Sequence, residues 1–108
     1  MKQNKYNNST CQIDGHSFDS RKEGAYYGQL KLEKRAGLIK GFERQVSFDL
    51  MCNGEKICRH IVDFLVTRMD NTTEVREVKS RGTMTDAWNI KRKLFEACYP
   101  KIEYKIIL

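Results

Sequence analysis

The chain has 108 residues, 40% hydrophobic and 31% charged, with a single proline and a formal net charge of +6. That length suits one compact domain with no second core, and the composition excludes disordered, collagen-like and disulfide-rich classes. No apolar run approaches the ~18 residues of a membrane span, so no membrane partner is expected, while the excess of Lys and Arg favours a polyanion such as nucleic acid.

Residues Met1 to Thr10 are polar and rich in Asn and Lys, which reads as a flexible tail ahead of a domain over residues 11–108. The opening Met1-Lys2-Gln3-Asn4-Lys5 lacks the apolar stretch of a secretory signal, so a cytoplasmic protein is expected. Cys11 to Phe18 alternates around Asp14-Gly15, the pattern of a short hairpin with a tight turn. Ser20-Arg21-Lys22-Glu23 fits a capping box, in which the Ser20 hydroxyl and the Glu23 carboxylate satisfy free amide donors at a helix start. The helix runs to Gly37, a residue suited to the left-handed position after a helix. Tyr26, Tyr27, Leu30 and Ala36 supply its apolar positions, and Lys31, Lys34 and Arg35 extend toward solvent or phosphate. Gly24 and Gly28 each weaken it by about 1 kcal/mol relative to Ala.

From Leu38 onward β-branched and aromatic residues predict three strands, near Glu43 to Met51, Ile57 to Arg68 and Thr73 to Ser80. Asn53-Gly54 and, more weakly, Asp70-Asn71 supply the turns between them. Thr83 or Thr85 caps a second helix with Ala87, Ile90, Leu94, Ala97 and Cys98 on one face, and Pro100 ends it. Ile102 to Leu108 reads as a last strand whose apolar end predicts a place inside the sheet. The order is helix, three strands, helix, strand after a small N-terminal hairpin, an α/β layout with helices flanking a mixed sheet.

The four cysteines are scattered, and reduced, mostly buried thiols are expected; a zinc set of Cys52, Cys58 and His60 has no support from spacing. The chemistry lies elsewhere. Asp63 interrupts the apolar run Ile61 to Val66, which is expected to be buried on both faces, and a buried lone acid is costly. On the next strand a period of two sends Glu77 and Lys79 to one face, and a tight turn between antiparallel strands brings Asp63 and Glu77 together. Two such carboxylates can hold a hard divalent cation such as Mg2+, and Lys79 can orient a water or oppose negative charge on a phosphate.

Asp63, followed by Glu77-Val78-Lys79, resembles the D...(D/E)-X-K core of the PD-(D/E)XK nuclease superfamily. Further segments resemble one phage-type family of that superfamily, long catalogued as a domain of unknown function and likened to Holliday junction resolvases. They are Lys5-Tyr6-Asn7, Phe18-Asp19-Ser20-Arg21-Lys22-Glu23, Gln45, Asp63-Phe64 and Lys91-Arg92-Lys93-Leu94-Phe95. The chain departs at Val62, where a proline often precedes the acid, and at Ser80-Arg81-Gly82, where a glycine often follows the lysine directly. The resemblance implies a restriction-endonuclease-like core and a DNA endonuclease using Mg2+ or Mn2+. It implies a metal held by Asp63, Glu77 and Glu23, with Lys79 completing the catalytic set, and a branched or junction substrate in phage recombination in the host cytoplasm. A homodimer would suit two symmetric cuts.

Other readings compete at each position. Asp63 and Glu77 also fit ordinary cross-strand ion pairs, and Glu23 fits the capping box alone. Gln45 fits either a substrate or water contact or an exposed strand residue. Lys91 stands at the border of the apolar face of the second helix, where it and Arg92 could grip a phosphate, although the run Lys91-Arg92-Lys93 also fits a solvated face. Trp88 reads as core and not as a base-stacking platform. The rival functions are a catalytically inactive nuclease-fold protein that binds DNA or a phage-host partner, and an RNA-processing enzyme with the same site.

Overall fold

The structure is a computed structural model and describes residues 10–108. Of the tail expected over residues 1–10, and of the Lys5-Tyr6-Asn7 segment, all but Thr10 lies outside the described residues. The elements are β1 (Cys11–Ile13), β2 (His16–Phe18), α1 (Arg21–Arg35), β3 (Ile39–Cys52), β4 (Glu55–Arg68), β5 (Thr73–Val78), a 3-10 turn (Arg81–Thr83), α2 (Asp86–Cys98) and β6 (Glu103–Ile107).

Local chemistry explains the boundaries. The β1–β2 turn at Asp14 and Gly15 and the β3–β4 turn at Asn53 and Gly54 have positive φ at both central residues, which suits the strand twist of two-residue hairpins. At the start of α1 the Ser20 hydroxyl accepts from the Glu23 amide at 3.1 Å. Its end is closed by paired bonds from Gly37 N–H to Lys34 O and from Leu38 N–H to Glu33 O, with Gly37 at φ 76°. Thr85, of the two candidate threonines, caps α2 through the Trp88 amide. Gly24 answers to packing as well as to helix propensity: a Cβ there would stand 2.6 Å from Cys11 Sγ, so glycine lets the β1–β2 hairpin lie against α1.

The fold is α/β. A mixed four-stranded sheet has the order β3-β4-β5-β6, antiparallel up to β5 and parallel between β5 and β6, with the β1–β2 hairpin separate. Helix α1 covers one face with Tyr27 and Leu30 against Phe18, Ile39, Phe64 and Val66. Helix α2 covers the other with Phe95 against Leu50, Val62 and Val75. Each such fully buried apolar side chain contributes roughly 1.5–3 kcal/mol.

The run Ile61 to Val66 is not buried on both faces as the sequence suggested. Ile61 is 43% exposed, Val62 packs with the α2 core, and Phe64 and Val66 pack with the α1 core although all three carry even numbers. The strand therefore changes face at Asp63. Across the ladder β3 does the same, since Phe42 packs with α1 and Val46 with α2, and Gln45 between them has φ 52°. One irregular residue in each strand at the same level preserves the register, Arg44 opposite Phe64 and Val46 opposite Val62.

Four further expectations need correction. Strand β6 is an edge strand: Tyr104 packs on the α2 core, while Ile106 and Leu108 are 37% and 70% exposed. An apolar strand end reports burial of one face and says nothing of neighbours. Helix α2 presents Trp88 and Phe95 inward, aided by Leu94 and Tyr99, whereas Ala87, Ile90 and Ala97 face out, because the large aromatic rings fill the gap to the sheet. β3 starts at Ile39 because its first residues pair with Arg68 and Thr67, and β5 stops at Val78. The thiols are free but not mostly buried: Cys52 is exposed and Cys11, Cys58 and Cys98 are half-buried.

Candidate active site

Strands β4 and β5 pair from Thr67 opposite Thr73 to Phe64 opposite Arg76, and there the ladder ends. Two side chains continue across the opening. Asp63 Oδ2 accepts from the Val78 amide at 2.9 Å, and the Asp63 amide donates to Glu77 Oε2 at 3.2 Å. Each acid thus replaces a missing ladder bond of the other strand, which holds both carboxylates in a fork between two rigid strands.

Glu23 joins them from α1. Only the Ser20 half of the expected capping box forms, and the Glu23 carboxylate turns inward instead, 6% exposed, with Arg44 Nη2 at 3.9 Å. Burial, then the Asp63 charge and a hydrogen bond to Asp63, raise its pKa to about 8. Burial also raises Asp63, against the opposing pull of the Val78 amide, the Glu23 hydrogen bond and Lys79. Both members of the pair are thus raised, and burial favours one proton shared between the two carboxyls. Burial and the Asp63 charge raise Glu77 to about 7. Three acids crowded out of water with too little positive charge resist ionising together.

Lys79, the next residue but one along from Glu77, stands between two openings. A cleft of about 390 Å³ lies between the start of α1 and the fork, lined by Asp19, Glu23, Asp63 and Lys79. A second, lined by His60, Glu77, Lys79, Trp88 and Lys91, lies against α2. The Lys79 ammonium sits 4.8 Å above the Trp88 ring, and its backbone carbonyl accepts from Lys22 Nζ at 2.8 Å. Trp88 is 8% exposed and is core, as expected.

Behind Glu77 lies a chain that the sequence did not suggest. Tyr104 O–H donates to Glu77 Oε2 at 3.3 Å and stands 2.8 Å from His60 Nε2, so His60 serves it as the Nε2–H tautomer. Burial, then Lys91 and Lys79, lower the pKa of His60 and favour its neutral form. These residues are 44 positions apart and only the β6 pairing brings them together, so no local signal marks them. Arg44 was missed for a similar reason: it bridges to Glu23 from β3.

The fold therefore brings Glu23, Asp63, Glu77 and Lys79 into one neighbourhood. Gln45 is exposed at the level of Asp63, and its side chain makes no hydrogen bond among the described residues. Lys91 lines the second opening, while Arg92 is turned inward, bonded to Glu96 at 2.5 Å and lying 5.6 Å from the Trp88 ring centroid. Among the described residues no three His, Cys, Asp or Glu side chains form a ready-made metal cage; this covers the three acids, linked only in pairs, and the Cys52, Cys58 and His60 set.

No curated protein and no solved structure gives a significant match to the chain. A family described as "Protein of unknown function (DUF1064)" matches residues 3–108, nearly the whole length. The chain belongs to the DUF1064 family.

Proposed function

We propose that the chain is a divalent-metal-dependent endonuclease that hydrolyses DNA phosphodiester bonds on a restriction-endonuclease-like core. The fork carries this reading: Asp63 and Glu77 are fixed to each other's strands, Glu23 closes on Asp63, and Lys79 follows Glu77. The donor set fits Mg2+ or Mn2+, because it consists of hard oxygens whose protons are held up by burial and mutual repulsion, the situation a bound dication relieves. Asp63, Glu77 and Glu23 are the residues that would hold the ion. When bound, it supplies Lewis-acid polarisation of a phosphate oxygen and a more acidic water.

The remaining work falls to the chain. Both hydrogen bonds to Glu77 fall on Oε2, which leaves Oε1 for a ligand. Lys79, fixed against Trp88, offers its ammonium to the negative charge that builds on phosphorus as the phosphodiester is attacked. Lys22 sets a second positive charge at the rim. The net charge of +6 supports a polyanionic substrate, and the superfamily resemblance implies branched DNA cut by a homodimer.

Incubating labelled four-way junction, linear duplex and RNA with Mg2+ or with EDTA tests the reading. Metal-dependent DNA cleavage is expected. DNA binding with no cleavage under any metal would instead support an inactive nuclease-fold protein, and a preference for RNA would support an RNA-processing enzyme.

A further inference from the structure

Helix α1 carries more than Glu23 on the face turned to β3. Tyr27, Lys31 and Lys34 follow at four, eight and eleven positions, one ridge of the helix. Together with Arg35, Phe42 and Arg44 they line a groove of about 820 Å³ that none of the residues of the fork enters. Its basic groups are Lys31, Lys34, Arg35 and Arg44, against one acid, Glu43.

These cations are not equivalent. Lys31 is engaged with Asp14 and lies over the Tyr27 ring. Arg44 is held in place by Phe18, 4.2 Å away, and by donation to Ser17 O at 2.9 Å; its Nε is buried without a partner. With Glu23 at 3.9 Å, Arg44 ties the groove to the fork. Lys34 and Arg35 are exposed and form no ion pair among the described residues, so their charge is open to a ligand. Tyr27 and Phe42, edge to face at 5.7 Å, make an apolar floor. Rigid cations at the inner end, free cations at the outer end and an apolar floor between suit a sugar-phosphate backbone.

We infer that this groove grips the nucleic-acid backbone at a distance from the fork, an inference that rests on the nuclease reading for the identity of the polyanion. From Glu23 to Lys34 the helix advances roughly 16 Å, about five nucleotide steps of a duplex strand. The contact positions the substrate and takes no part in the chemistry.

The test is DNA binding in EDTA by the Asp63→Asn protein, with and without Lys34→Glu and Arg35→Glu. The probes are a short duplex that ends within the fork and a longer one that reaches the groove. The double charge reversal is expected to weaken the longer duplex about tenfold, lower the salt slope by about 2, and leave the short duplex unchanged. A matched reversal on exposed residues elsewhere, Lys93→Glu with Lys101→Glu, is expected to bind like its parent. Unchanged affinity for the longer duplex, an equal loss in the matched control, or equally tight binding of a poly-glutamate peptide would overturn the groove. Failure of the nuclease reading looks different: the wild-type protein with Mg2+ leaves DNA uncut while the groove variants still separate in EDTA.

Discussion

Glu74 and Glu77 lie three residues apart on β5 and are buried alike, at 1% and 4% exposure, yet their surroundings are opposite. Glu74 meets Arg68 at 2.7 Å, Arg76 at 2.8 Å and Lys105 at 3.0 Å. Burial alone would raise its pKa, but hydrogen bonds from Arg76, Lys105 and Arg68 hold it at about 2. Arg76 reaches on to Glu33 and Tyr26 of α1, so the network fastens helix to sheet. Glu77 has no ion pair among the described residues; its partners are an amide and a phenol, and these, with the more distant Lys79, oppose the rise to about 7 without cancelling it. The first acid is finished as structure. The second, with Asp63 and Glu23, is left strained by burial and mutual repulsion, which the proposed cation would relieve.

The largest expected effect breaks the comparison on its functional side. Asp63→Asn keeps an oxygen for the Val78 amide, so the fold should survive, while DNA cleavage with Mg2+ falls at least about a thousandfold, on the order of 4 kcal/mol in the barrier. Near-normal cleavage rates in this variant would remove Asp63 from the site. On the structural side, Glu74→Gln strands three cations and should cost about 3 kcal/mol in urea unfolding. A loss under half of that would mean the network is solvated.

Next comes pH. Glu77 and Glu23 have folded pKa values of about 7 and about 8, above their ordinary 4.5, so the folded state binds the extra protons. The stability they lend is present below 4.5 and lost as pH rises through 7 to 8; Glu74 runs the other way, losing its contribution as pH falls through about 2. Without metal, stability should therefore drop by an amount on the order of 1–3 kcal/mol between about pH 5 and about pH 8. Mg2+ should restore part of it and Glu23→Gln should flatten the slope, both read by denaturant unfolding. A metal-free protein that becomes more stable over that interval contradicts the account. The smallest effect is Tyr104→Phe, which removes one bond to Glu77 and should cost about 1 kcal/mol in stability. Its Mg2+ affinity, measured by calorimetry, should fall about tenfold, a change that a merely structural phenol would not cause.

Much of the fold could be read in advance because its punctuation is local. Ser20, Asp14-Gly15, Gly37, Asn53-Gly54 and Thr85 each act within a few residues, and the elements follow them. The acid pair was legible too, since hairpin geometry and a period of two bring Asp63 to Glu77. What escaped depends on distant partners. The change of face at Gln45 and Asp63 breaks the period on which strand reading rests, and a glutamine with positive φ carries no signature. The inward face of α2 was set by Trp88 and Phe95 meeting Tyr104 and Phe48, and the Glu74 network draws on three strands. The spacing from Ser20 could not decide between cap and inward turn for Glu23, because the same three residues serve both roles; only the helix face it shares with Tyr27 and Leu30, and the family resemblance, pointed inward.

Because β3 and β4 change face together, a single hairpin supplies both hydrophobic cores: its base, with Phe42 and Phe64, serves α1, and its outer part, with Phe48, Leu50 and Val62, serves α2. Neither helix can lose its support without disturbing the strands that hold the other. The two layers should therefore melt as one cooperative unit, with the slowest-exchanging amides along β3 and β4 and the helices released in a single transition.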